Sequence, residues 1–543
     1  MKTGWLILIA AGFSLAVGWT GCIVPLNGVH DSLRYLGMAE TLLKGEWLGA
    51  YNELTLIRSP VYSVFLAANS LTGWPLHRIQ HGIYLISCIV LTLGLRHAGI
   101  RDWRADCTGA LCAIHPFAMI PAWYVATDAL YTPLTLMAVA ACLGISGNID
   151  RPGKTFWAWT GVLSVFLTLA WHMRPEGVWM LPFLGAGILG LAWHVRQNWR
   201  NVRFRLMAVI LLPVLAVQGT GHIIAHQNLK HYGVAVVHEL DEPGFRQAFA
   251  GLTRLDPESR RPHVPVSDRA FEEAFRISPH FARLQPEWAN IRHNWIQFGC
   301  SYMGECAALA GGWTVWAVRD AAARVGVFVN GSHAAEFFRA VSHEIEMACQ
   351  NGQSPCSRNV TGNLLAPPTT FGDIPNISLS MCRWMWEALS LGDFPEKFQN
   401  HGIDVDQLIL KRYGEITHDN PERGEIVWGQ PIHRMVHMTP FIQIGLGVLA
   451  SLMLIISTTN RMGLPGHHGF ARLKHPWILA WILVAILSRM ALIGYIDAMS
   501  FQAQLRYILP VYPLLMVLFC LSWPAWKTRS TPVTTIRQKT VLP

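Results

Sequence analysis

Apolar residues in this chain gather into ten runs, at residues 5–25, 79–95, 107–124, 130–145, 156–173, 178–193, 206–224, 438–457, 476–496 and 507–526. Short polar turns separate most of them; a longer loop follows the first run, and a hydrophilic segment of residues 227–437 intervenes before the eighth. A helix needs about 20 apolar residues to cross the hydrocarbon core, so the runs read as transmembrane helices, the shorter ones completed by flanking Trp and Tyr. The pattern predicts an all-α polytopic membrane protein of about ten spans with one large soluble, mainly helical domain. The first run has a Lys2 flank, as a secretory signal would, but its 21 residues exceed the ~7–15 of a signal core. It reads as a retained span.

A second pattern follows the first span. Over residues 31–44 a helical period puts Tyr35, Leu36, Met38, Ala39, Leu42 and Leu43 on one side and Arg34, Gly37, Glu40, Thr41 and Lys44 opposite, with Leu33 the exception. That stripe predicts a helix lying on the membrane surface. Ser59-Pro60 predicts the start of a second surface helix ending near Leu71, with Ser as N-cap and Pro in the first turn. In the hydrophilic segment, residues 268–275, 313–325 and 334–348 carry helical amphipathic patterns.

Composition agrees with this class, at 52% hydrophobic and 14% charged residues with 23 Trp. Charge then sets the orientation. On one side of the spans the short loops and tails hold 17 Lys and Arg, and on the other six: Arg34, Lys44, Arg58, Arg78, Arg174 and Arg506. Positive loops stay cytoplasmic, so both termini are expected inside and residues 227–437 outside. The expected division is a transmembrane module at 1–226 with its first outer loop at 27–78, an extracytoplasmic domain at 227–437, a three-helix module at 438–526 and a cytoplasmic tail at 527–543. The outer segment carries a net charge of −5 and the remainder +14. The basicity is thus a topology signal and gives no reason to expect nucleic acid.

Five cysteines lie in the outer segment: Cys300, Cys306, Cys349, Cys356 and Cys382. Cys349 and Cys356 close a short loop, and a disulfide is expected there.

Candidate chemistry comes from charges that an apolar bundle tolerates only when paired or used. Outside the long segment there are ten carboxylates, seven of them on the outer face, and Asp31, Asp128, Glu176 and Asp497 abut different spans. Arg58, Arg174 and Arg506 share that face. Bland readings exist for each: Asp31 and Asp128 as helix caps, Arg58 snorkelling to headgroups, Arg174 pairing with Glu176 across its turn, and Asp497 as loop structure. Arg489, inside the ninth run, is expected to face the bundle or snorkel.

The order of these motifs resembles the GT-C membrane glycosyltransferases, which include protein O-mannosyltransferases and lipid A aminoarabinose transferases. The motifs are His30-Asp31 with Tyr35, the Arg58-x-Pro-x-Tyr62 segment, Asp128 opening the fourth span, the turn Arg174-Pro175-Glu176-Gly177, and Arg506-Tyr507-x-x-Pro510. The resemblance covers roughly the first 225 and last 105 residues. It implies transfer of a sugar from a polyprenyl-phosphate donor to a hydroxyl-bearing acceptor (lipid, glycan or protein), with inversion, at a bacterial inner membrane with the large domain periplasmic. It makes Asp31 the base and Arg58 the first choice for the donor phosphate, followed by Arg506 or Arg174. Tyr35, Tyr62, Asp128, Glu176 and Tyr507 are the remaining substrate-side residues of the motifs. The family often has two adjacent acids where this chain has His30-Asp31, so no divalent metal is assigned. The rival classes are a transporter or flippase of a lipid-linked saccharide, and a non-catalytic membrane scaffold.

Overall fold

The computed structural model describes residues 5–18, 32–116, 120–151, 153–256, 261–357, 366–367, 369–390, 397–399, 413, 425–427, 438–449 and 476–523. Asp31 and the end of the first run fall outside the described residues, as does most of the stretch between 391 and 475.

From the N-terminus, α1 (Trp5–Gly18) is followed by the two surface helices α2 (Ser32–Leu43) and α3 (Val61–Thr72). Then come α4 (Leu76–His97), α5 (Trp103–Ile114), α6 (Asp128–Ser146), α7 (Lys154–Met173), α8 (Met180–His194) and α9 (Trp199–Tyr232). The hydrophilic segment folds into α10 (Pro243–Leu252), α11 (Asp268–Ile277), α12 (Pro279–Ala282), α13 (Gln285–Met303), α14 (Gly312–Arg324), α15 (Gly331–Gln350) and α16 (Ile374–Ser390). Two three-residue strands, Lys397–Gln399 and Glu425–Val427, pair antiparallel. The chain ends in α17 (Met438–Leu449), α18 (Pro476–Met499) and α19 (Val511–Ser522).

Six stretches are helical, long and apolar enough to cross a bilayer, namely α4, α6, α7, α8 with its leading turn, α9 and α18. Three more expected spans match the shorter apolar helices α1, α17 and α19. The run at 107–124 does not stay helical. Helix α5 ends at Ile114, His115 breaks the helix, and after residues 117–119, which lie outside the described residues, Ile120–Trp123 form a 3-10 turn. The cause is local: His115 precedes Pro116, which disfavours helical backbone in the residue before it, and His115 is extended at ψ 132. The start of α3 also differs by one residue. It begins at Val61, because Pro60 takes the cap position and the Ser59 hydroxyl reaches the Val61 N–H only at 3.5 Å.

The bundle is organised on α6, every residue of which is buried. Helix α4 packs on α6 closely enough that a Cβ at Gly94 would sit 2.4 Å from the Ala140 carbonyl, so the glycine sets the approach. Helix α7 closes the other side of α6 and packs on α9, while α18 packs on α8 and α16, and α19 joins α18 to α5. Buried Leu, Ile, Ala and aromatic side chains from all of these form one continuous core.

The hydrophilic segment has its own core, with Phe245, Phe249, Phe271, Phe281, Phe337 and Phe338 packed around the small-residue face of α14. Two disulfides staple its helix ends, the expected Cys349–Cys356 and a second, Cys300–Cys306. This domain seats on one end of the bundle: the His263 N–H donates to the Met499 carbonyl at the end of α18 at 3.0 Å. That end is the domain side.

The loop between α2 and α3 is clasped from two directions. From α9, the Tyr232 hydroxyl donates to the carbonyls of Trp47 and Gly49, and the Trp47 indole donates to Asn228 at 2.8 Å. From the domain, the fully buried Arg319 donates through Nε to the Glu53 carbonyl at 2.9 Å while pairing with Glu239, which also accepts from the Tyr51 hydroxyl.

Candidate active site at the domain end of the bundle

Four separate stretches bring charge to one place. Asp128 opens α6, so its carboxylate sits in the first turn, where the helix dipole favours an anion. Arg174 ends α7 with extended backbone, which turns the chain into the 3-10 turn of Pro175–Trp179 and carries Glu176 back beside it. Arg489 comes from within α18. Arg506 and Tyr507 come from the short 3-10 turn Leu505–Ile508 that leads into α19.

The side chains are chained together. Arg174 pairs through one nitrogen with Asp128 and through the other with Glu176 at 2.8 Å. The second oxygen of Glu176 takes Arg489 at 3.1 Å, and Arg489 Nε donates to the Tyr507 carbonyl at 2.9 Å. Asp128 also faces Arg506, at 3.7 Å. Aromatic faces fill the gaps: Arg174 lies over Tyr507 and Tyr131, Arg489 over Tyr131 and Trp179, and Arg506 over Tyr507 at 5.5 Å. Trp179 fixes Tyr131 with an indole N–H donated to its hydroxyl at 2.7 Å.

The electrostatic sense of the cluster follows from a count. Among the described residues, three guanidiniums face two carboxylates in this cluster. Arg174 and Arg489 are almost fully buried and held by short pairs, whereas Arg506 is 26% exposed and has the longest pair of the set. Arg506 is the cation best placed to meet an anion arriving from outside.

The first loop supplies the adjoining wall. The Tyr62 hydroxyl donates to Gln80 at 2.9 Å, and Gln80 in turn donates to the carbonyls of Ala122 and Tyr124. Tyr35 meets Tyr62 edge-on with ring centres 5.1 Å apart, and both rings are buried. The Ser32 hydroxyl donates to the Val125 carbonyl at 2.7 Å, three residues before Asp128. Tyr35 and Tyr62 therefore build the wall rather than project from it. Arg58 is half-buried at the head of α3. Burial, and then the charges of Arg58 and His172, push the pKa of the nearby His238 ring down to about 4.

Of the expected site residues, Asp128, Arg174, Glu176, Arg506 and Tyr507 converge, and Arg174 and Glu176 do pair across their turn. Asp497 binds Ser380 and the Ala503 N–H, as loop structure would. Arg489, Tyr131 and Trp179 are additions. Arg489 carried a signal, being a lone cation in an apolar run, whereas Tyr131 and Trp179 look like ordinary core aromatics in the sequence. Among the described residues, no three His, Cys, Asp or Glu side chains converge as metal ligands would.

No family model matches the chain and no curated protein matches it. Two solved structures of ArnT from Cupriavidus metallidurans are similar to it in part. The one bound to undecaprenyl phosphate is 12% identical with a TM-score of 0.33, covering 95% of this chain and 78% of that one. The apo form is 11% identical with a TM-score of 0.31, covering 96% and 76%.

Proposed function

We propose that the chain is an inverting membrane glycosyltransferase that moves a sugar from a polyprenyl-phosphate donor to an acceptor hydroxyl at the domain side of the bilayer. The observation that carries this reading is the convergence of Arg174, Arg489 and Arg506 from separate stretches at the domain end of the bundle, with Arg506 the most exposed of the three. A phosphate leaving group gains charge as its bond to the sugar breaks, and an arginine already aimed at that point stabilises the transition state more than the ground state.

In this reading Asp31 takes the proton of the acceptor hydroxyl. The hydroxyl oxygen forms its bond to the anomeric carbon from the face opposite the phosphate, and the sugar–phosphate bond breaks with its electron pair passing to the lipid phosphate. Arg506 and Arg58 receive that phosphate, while Arg174 and Arg489 position Asp128, Glu176 and the Tyr507 turn. Tyr35 and Tyr62 shape the wall beside the sugar. The two disulfides support assigning the domain side to an oxidising compartment, the periplasm of a bacterial inner membrane, with both termini in the cytoplasm. The domain, by its place over the loop, would select the acceptor.

One observation favours the transporter reading: Arg489 lies ten residues from the end of α18, about 15 Å along a helix rising 1.5 Å per residue, so the cluster reaches toward the bilayer interior. Two of the Arg489 nitrogens, however, are taken by Glu176 and the Tyr507 carbonyl, and the third is buried with no hydrogen-bond partner among the described residues. Incubating the purified protein with a panel of polyprenyl-phosphate sugars and measuring free lipid phosphate separates the two. Release with one donor supports transfer; no release with any donor, together with movement of labelled lipid across vesicles, would replace it with transport.

A further inference from the structure

Helix α16 belongs by sequence position to the hydrophilic segment, yet it packs along α18. Its Trp384 and Ala388 are buried in the same core as the spans, and Met381, Met385 and Leu389 lie against that core. The approach is close: a Cβ at Gly494 would fall 2.8 Å from the Met381 backbone nitrogen, so the two helices touch where α18 has no side chain. Ser380 donates to Asp497 at 2.6 Å and Arg383 pairs with the same carboxylate at 3.2 Å. Gly494 lies five residues from the domain end of α18, which at 1.5 Å per residue sets α16 about 7 Å below that end.

The opposite face of α16 is open and carries large apolar side chains among the exposed Asn376, Ser378 and Arg383. Leu379, Cys382 and Trp386 are exposed at helical spacing, 72% and 58% for the Leu and Trp, and Phe371 and Ile374 just before them are exposed as well. A soluble domain surface would leave such a row in water. On α18, the helix it leans against, Trp477, Leu483 and Leu487 are exposed in the same way, as the lipid-facing side chains of a span are. The depth of the Gly494 contact matches the roughly 5–10 Å to which an interfacial helix buries its apolar face.

We propose that α16 is an interfacial helix of the membrane module, seated with Phe371, Ile374, Leu379, Cys382 and Trp386 against the lipid of the domain-side leaflet. The boundary between membrane module and hydrophilic domain then falls before Phe371 on this side of the chain. The helix also borders the candidate site, because Asp497, which it holds, accepts the Ala503 N–H three residues before Arg506.

Cys382 is the free cysteine exposed on this face, and the remaining described free cysteines are buried or partly so. Bimane attached to Cys382 in the full-length protein, kept non-reducing and reconstituted in nanodiscs, reads the environment directly, with Cys382→Ser giving the background label. Doxyl groups high on the lipid chains should remove most of the fluorescence and aqueous iodide little. Strong quenching by iodide with little by doxyl lipid would place the face in water and overturn the proposal. Protection from both quenchers would show the face covered by protein and overturn it equally.

Discussion

Arg489 and Glu176 are 313 residues apart in the chain and 3.1 Å apart in space. The pair joins the N-terminal helices to the C-terminal ones inside the bundle. Glu176 is shared by Arg174 and Arg489, so its loss leaves Arg489 facing no carboxylate among the described residues and Arg174 facing Asp128. Loss of Arg489 leaves Glu176 still paired with Arg174. Glu176→Gln should therefore be the costlier change, by about 3–5 kcal/mol as for an uncompensated buried charge, and Arg489→Met the milder. Thermal unfolding in detergent orders them, and the reverse order would remove the charge count from the explanation.

Arg506→Gln tests the phosphate role. Removing one donor aimed at developing charge typically costs about 10²–10³ in turnover. Arg506 is the most exposed of the three arginines, so the melting temperature should barely move. Near-normal lipid phosphate release by this variant would transfer the role to Arg58.

Asp31→Asn should abolish transfer with folding intact, since a positioned base contributes about 10²–10⁴. Retained turnover in a purified, well-folded Asp31→Asn sample would remove Asp31 from the mechanism.

His238 gives a pH dependence. Its pKa is about 4 in the folded chain against 6.5 ordinarily, so the unfolded state binds the proton more readily. Stability is then full above pH 6.5 and falls as pH drops toward 4, by up to about 3 kcal/mol. Melting curves at pH 7 and pH 5 should separate for the wild type and draw together for His238→Gln. Equal separation in both would assign the acid sensitivity elsewhere.

Cys349→Ser with Cys356→Ser should lower the stability of the hydrophilic domain by about 2–3 kcal/mol, the loop-closure value for a ring of this size. Intact mass before and after reduction and alkylation should count two disulfides in the native chain.

Much of this was legible in the letters because bilayers demand long apolar runs. The surface helix α2 buries Tyr35, Leu36, Met38 and Ala39, the side its pattern marked as apolar. The Arg174–Glu176 pairing was readable because both ends lie in one turn. Arg489 was readable only as a problem, since a lone arginine in an apolar run has the same letters whether it pairs or snorkels. Its partner is set by packing of α18 on α8, and no local pattern encodes that. The Cys300–Cys306 bridge carries a local signal in the sequence as well. In both bridges a cysteine near a helix end is followed by a left-handed glycine, Gly304 at φ 72 and Gly352 at φ 67, that turns the chain back before the second cysteine. Helix α16 was missed because its apolar positions serve two faces, one toward α18 and one outward, which blurs the amphipathic period.

The clasp on the first loop bears on how such a chain could be recombined. Arg319 and Glu239 hold that loop from one side and Tyr232 and Asn228 from the other, so its contacts are written in three distant parts of the gene. A domain transplanted from a relative without its matching loop would arrive with a buried arginine and no carbonyl to receive it. The loop and the domain are therefore structurally one unit, and well-folded chimaeras should have junctions that move both.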